Sequence, residues 1–287
     1  MSVDQPLRSE LSLPASLPAA VSASLSGASL SGASLSRASL WRMCVLEAKC
    51  EFLKLLRTPH YAVPILALPV MFYLLFGSSF GNRGPSGGGP YLLASYAVFG
   101  VVTAALFAFG AGVALERAQG WLLLKRTTPM PVGVYLGAKV LSCMLFGVVI
   151  VALLAACAIL LGGVHLSLGA WLTLIVIIAV GSIPFCLFGL LIALVVPPSG
   201  APGIVNLINL PLAFAGGLWM PVSSLPRVFQ ALAPVLPQYH LAQLALGAVG
   251  VPPAGSVAAH GARLVLASVV FGAAAMVAWR RADARDG

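Results

Sequence analysis

YLLASYAVFGVVTAALFAFGAGVAL, residues 91–115, runs for 25 residues without a charged side chain, and Glu116 and Arg117 follow at once. An α-helix rises about 1.5 Å per residue, so about 20 apolar residues cross the roughly 30 Å hydrocarbon core of a bilayer. The run therefore predicts a membrane-spanning helix that leaves the lipid where the two charges begin. Five more apolar segments flank it. One precedes it, Tyr61 to Phe80, and four follow: about Val140 to Leu161, Trp171 to Val196, about Ile204 to Pro221, and Val257 to Trp279. Turn-forming text separates them, GNRGPSGGGP after the first and VPPSGAPG after the fourth. Between the fifth and sixth, Arg227 to Gly250 is apolar enough to cross, but Pro234 and Pro237 split it. Two short helices dipping into the outer leaflet are expected there, the alternative being a seventh span.

Composition agrees with lipid as the main solvent. Of 287 residues 60% are hydrophobic and 8% charged, with mean hydropathy +1.02. A soluble domain carries roughly 25% charged residues. The net charge of +9 lies beside the apolar runs and forms no separate basic domain. That placement predicts contact with lipid headgroups and no nucleic acid. With six spans and a cytoplasmic N-terminus, Arg83, Arg227 and Arg263 fall outside and the other thirteen of the sixteen basic residues inside. The positive-inside rule favours that orientation, with both termini cytoplasmic.

The expected fold is all-α: a polytopic membrane protein in three parts. Residues 1–39 repeat ASLSG from Ala23 and carry little apolar bulk, so they are expected to be disordered, and no cleavable signal peptide is expected. Residues 40–58 place Trp41, Val45, Ala48, Phe52 and Leu55 on one helical face with Arg42, Lys49 and Lys54 off it. That pattern predicts an amphipathic helix on the membrane surface, ended at Thr58–Pro59. Residues 59–287 make the six-helix domain.

The chemistry is defined by what is missing. The seven acids are Asp4, Glu10, Glu47, Glu51, Glu116, Asp283 and Asp286, none in the core of a predicted span. Ion-coupled carriers commonly use an ionisable residue at mid-membrane. None of the four lysines follows a glycine, so no phosphate-binding loop is present, and no HExxH or GxSxG motif occurs. His60, His165, His240 and His260 are isolated in sequence, and the five cysteines lack zinc-site spacing. No catalytic residue, disulfide, metal site or cofactor is expected in this chain. If it pumps, the energy comes from elsewhere.

The segment after the second span reads LERAQGWLLLKRTTPMPVGVYLGAK. Gly120 permits a turn, Trp121 to Arg126 has the character of a short apolar and basic helix, and Pro129 and Pro131 stop it. On the residues alone this is either a plain interfacial loop or a helix that docks into a partner's groove. Asn206 and Asn209 are the clearest polar side chains in a span, and they serve either helix packing or a substrate path. Phe214 and Trp219 are candidates for an outer gate. Ala104, Ala108 and Gly112 repeat every four residues, which suits close helix approach or generic alanine-rich packing.

The order of these features resembles the type-2 ABC (ATP-binding cassette) exporter permease family. An interfacial helix ends in LLRTP, Leu55 to Pro59. Span two ends in Leu115-Glu116-Arg117 with Gly120, followed by Thr128-Pro129, and Gly137-Ala138-Lys139 opens span three. Residues 206–240, NLINLPLAFAGGLWMPVSSLPRVFQALAPVLPQYH, carry the rest. Family members often have a further acid where Ala118 and Gln119 stand. The resemblance implies six spans, a cytoplasmic N-terminus, a second permease that is identical or homologous, and two separate ATPase subunits that hold ATP and Mg. It implies that Glu116, Arg117, Gly120, Trp121, Lys125 and Arg126 belong to the helix that receives the ATPase stroke, in an exporter of the plasma or inner membrane. The competing readings are an ATP-independent channel or carrier, and a membrane enzyme or assembly scaffold.

Overall fold

The computed structural model describes residues 37–80, 88–121, 131–161 and 163–286. The Ser-rich segment expected to be disordered falls almost wholly outside these residues. Residues 41–287 form one compact unit. Every regular element among the described residues is helical, as expected. Helix α1 is Arg37–Leu56, α2 Pro59–Phe80 and α3 Gly88–Leu106. A π-helical turn, Phe107–Gly112, joins α3 to α4, Val113–Ala118. Then come α5 Val132–Leu160, α6 Leu168–Gly181, α7 Ile183–Val195 and α8 Ala201–Ala215. Short α9 Arg227–Leu232, α10 Pro237–Ala248 and the long α11 Val257–Asp286 complete the order.

Four stretches are long and apolar enough to cross a membrane: Gly88–Ala118, Val132–Leu160, Leu168–Val195 and Val257–Arg281. Two shorter apolar helices, Ala62–Gly77 and Ala201–Ala215, occupy the places expected for spans one and five. Span two is the centre of the fold. It is 83% buried over its apolar window, against 11% for α11, and α2, α5, α7, α8 and α10 all pack on it or its π turn.

Local chemistry sets the boundaries that differ from expectation. Helix α5 begins at Val132, eight residues earlier than expected, because Pro131 sits extended at its N-cap and needs no N–H there. Lys139 is consequently two turns inside a helix. The helix of span four is interrupted at Ser182, before Pro184, whose ring cannot supply the intrahelical N–H. Helix α8 stops at Ala215, six residues short of expectation. Gly217 adopts φ +75°, its N–H donates to the Phe214 carbonyl and the Leu218 N–H to the Ala213 carbonyl. Those two bonds close a left-handed helix cap that glycine alone enters without strain. Residues 227–250 are not one continuous helix. They make α9 and α10, and twelve-residue α10 is only about 18 Å long.

Helix α10 is nonetheless well buried, against α3, α6 and α11. His240 and His260 meet there through their Nδ1 atoms at 2.8 Å. Each Nε2 faces a carbonyl, His240 that of Pro234 at 2.9 Å and His260 that of Ala254 at 3.0 Å. The two histidines, isolated in sequence, tie the α9–α10 turn to the start of α11.

The small-residue stripe of span two is only partly as expected. Ala104 and Ala108 are buried, but Gly112 is not. A close helix approach is found instead at Gly110 and Gly189. A Cβ on Gly189 would lie 2.9 Å from Phe109 Cβ and 3.0 Å from the Gly110 nitrogen. The π turn lies across the stripe, so a four-residue repeat does not stay on one face through it.

Candidate functional site

Three separate elements bring ionised groups to one point. Glu116 comes from α4 at the end of span two, Glu51 and Lys54 from α1, and Tyr135 and Lys139 from the first turns of α5. Glu116 Oε1 accepts from Lys54 Nζ at 2.6 Å and from Lys139 Nζ at 3.0 Å, while its Oε2 accepts from the Tyr135 hydroxyl. Lys139 also donates to Glu51 Oε2 at 2.9 Å, and Lys54 stands 3.7 Å from Glu51 Oε1. Glu51, Glu116 and Lys139 are each at most 8% exposed, so their charges are tenable only because they face one another. The Lys54 side chain is 55% exposed and forms the solvent edge of the cluster. Burial opposes its charge, but the hydrogen bond and negative charge of Glu116, with Glu51 behind, hold the ammonium above the usual lysine range.

The sequence spacing explains the convergence. Glu51 and Lys54 are three residues apart on α1, and Tyr135 and Lys139 four apart on α5, so each pair lies on one helical face. Arg117 turns the other way and donates to the Leu194 carbonyl at the end of α7, at 3.3 Å. Gly120, at φ +74°, then ends the helix where a side chain would be strained. Trp121 is 51% exposed. Lys125 and Arg126, the rest of the expected docking helix, lie outside the described residues.

The cluster forms one end of a cavity of about 490 Å³ between α1, α2, span two and α8. Its walls are mostly apolar, among them Pro64, Leu68, Phe99, Phe107 and Leu210. Asn206 and Asn209 both line it, Asn206 exposed and Asn209 buried. Thr103 lines the same level, about 20 Å along span two from Glu116 at 1.5 Å per residue. Phe214 and Trp219 do not line it. They join Phe72 and Phe99 in an aromatic cluster beyond it, with Trp219 at ring-centroid distances of 5.6 Å from Phe72, 6.2 Å from Phe99 and 6.1 Å from Phe214. Tyr91 braces that end by donating to the Gly217 carbonyl at 2.6 Å.

Sequence reading identified Glu116 but not its four partners. Lys54 read as lying off the apolar face of a surface helix, Lys139 as part of the element that opens span three, and Glu51 only as an acid outside the core of any span. The available signal was a lysine with an apolar run on its C-terminal side and a tyrosine one turn before it. Among the described residues no group of three or more histidine, cysteine or carboxylate side chains could hold a metal ion.

Residues 44–249 match the protein family described as ABC-2 type transporter. The chain is 29% identical over 196 residues to the Bacillus subtilis (strain 168) protein named "Putative transport permease YvfS", covering 68% of this chain and 80% of that one.

Proposed function

The chain belongs to the ABC-2 type transporter family, and from that premise we propose that it is the permease subunit of an ATP-driven exporter. As a member it is a multi-pass membrane protein and a transporter permease. In this reading the two shorter apolar helices also cross, giving six spans with both termini cytoplasmic, and α9 and α10 dip into the outer leaflet. A second permease, identical or homologous, completes the path. Two ATPase subunits bind ATP and Mg below.

The observation that carries this reading is the Glu116 cluster at the end of the cavity. Trp121 and the residues that follow receive the ATPase stroke. Glu116, buried and joined to α1 and α5 by short charged hydrogen bonds, passes it on to both helices at once. Arg117 passes it to span four through the Leu194 carbonyl. Glu116 and Arg117 thus act behind the docking surface, and Trp121, Lys125 and Arg126 on it. The cavity is the inward part of the path, and Trp219 with Phe72, Phe99 and Phe214 seals its outer end. Only a difference in ATP affinity between the two arrangements can drive the change.

The test is purification of the tagged chain from its native host, with mass spectrometry of what accompanies it. A stoichiometric ABC ATPase is expected, and it is lost when residues 116–126 are replaced by a Gly-Ser linker. A folded, oligomeric chain free of any ATPase overturns the reading in favour of a channel or carrier.

A further inference from the structure

One residue lining the cavity carries a buried polar atom whose orientation is fixed and which has no partner. The Thr103 hydroxyl donates to the Phe99 carbonyl one turn back, at 2.7 Å. Its one proton is then committed, and toward Asn209 it can only accept. Asn209 Nδ2 donates to it at 2.9 Å. That bond sets which way the Asn209 amide faces. Its Oδ1 is left in the protein with no hydrogen-bond donor, on a residue 1% exposed that lines the cavity. A buried acceptor without a donor is costly, and it selects for whatever brings a donor to it.

The rest of the cavity narrows the chemistry. Its ionised lining groups are Glu51, Lys54, Glu116 and Lys139, two of each sign, all at the end remote from Asn209 and bonded to one another. At the level of Thr103 and Asn209 nothing among the lining residues balances a ligand's charge. The apolar lining includes Ile65, Leu68, Phe99 and Leu210, and Asn206 lies one turn from Asn209 on α8.

We propose that Asn209, held by Thr103, determines what this permease carries: an uncharged amphiphile with a hydroxyl or N–H donor within its apolar body. This rests on the reading of the cavity as the transport path. The acceptor rejects isosteres in which the donor is masked. Thr103 is a positioning residue, and Asn209 makes the contact.

The test uses the full-length protein in proteoliposomes and two photoreactive probes, a twelve-carbon primary alcohol with a mid-chain diazirine and its methyl ether. Mass spectrometry compares labelling of residues 99–115 and 202–210 with labelling of the exposed face of α11, residues 265–277. That ratio removes differences in membrane partition. In the wild type the alcohol is expected to favour the cavity over α11 about tenfold more than the ether does, the factor for one unsatisfied acceptor. Asn209→Leu brings the two probes level. Thr103→Val frees the amide to turn, so the ether gains at the cavity and total cavity labelling is retained. Equal cavity labelling by both probes in the wild type overturns the assignment of Asn209 and leaves the cavity as the path. No cavity labelling above α11 by either probe overturns both. Neither result bears on whether an ATPase accompanies the chain.

Discussion

Replacing Glu116 by Gln keeps the shape of the side chain and removes one charge from a cluster that is balanced. Lys139, with a side chain 5% exposed, then has one carboxylate where it had two, and the Tyr135 hydroxyl loses a charged acceptor. Removing one partner of a buried ion pair costs about 3–5 kcal/mol. Glu51 stays 2.9 Å from Lys139 Nζ, so the lower end, about 3 kcal/mol, is expected. Lys139→Met leaves two buried carboxylates with Lys54 alone and costs a similar amount. Lys54→Met removes a group already more than half in solvent and costs about 1 kcal/mol or less. The double variant Glu116→Gln/Lys139→Met takes one charge of each sign and is expected to cost about 2 kcal/mol less than the sum of the singles. The assay is reversible unfolding of the purified protein in mixed detergent and SDS micelles. Strict additivity of the pair, or a Lys54→Met loss as large as that of Lys139→Met, would refute the account of a balanced buried cluster with one wet edge.

Other outcomes follow from single contacts. Tyr135→Phe loses the hydroxyl bond to Glu116 and is expected to destabilise by about 2 kcal/mol, while lowering ATP-driven transport more than it lowers the amount of folded protein. Gly189→Ala forces spans two and four apart against the Gly110 backbone, costing about 1–3 kcal/mol, whereas Gly261→Ala meets nothing within 4 Å and gains up to about 1 kcal/mol of helix propensity. Trp219→Ala empties the aromatic cluster at about 3 kcal/mol and raises leak of a small dye from loaded vesicles. Trp219→Phe is neutral within about 1 kcal/mol, because the indole N–H it removes is buried without a partner. His260→Leu strands His240 Nδ1 and the Ala254 carbonyl and costs about 2 kcal/mol in the same unfolding assay.

Much of the fold was legible because lipid imposes a coarse rule. A run such as residues 91–115 has few alternatives to a helix, and proline marked where Arg227 to Gly250 would break into α9 and α10. Boundaries were less legible. Pro131 was read as a stop for the preceding segment when it also starts α5, and the capping bonds at Gly217 depend on carbonyls that no composition reveals. Of the site, Glu116 stood out as the acid that directly follows the uncharged run 91–115. Its partners did not, because Glu51 lies 65 positions before it and Lys139 23 after it, and pairing across such separations is decided by packing. Asn209 and Asn206 were distinguishable as polar residues in a span. That one would be buried with its amide fixed, and the other exposed, depended on a threonine on a different helix.

The π turn at Phe107–Gly112 works as a phase shifter within span two. It holds one residue more than an α-helical turn would, so the side chains after it are rotated by about 100° from where a continuous α-helix would aim them. Glu116 points at Lys139 and Tyr135 because of that offset. A helical wheel drawn through residues 88–118 as one helix assigns the wrong face to one half. Deleting a single residue between Phe107 and Gly112 would let the turn close as an ordinary α-helical one and leave the carboxylate facing its partners, whereas deleting one between Val113 and Leu115 would swing it about 100° off them.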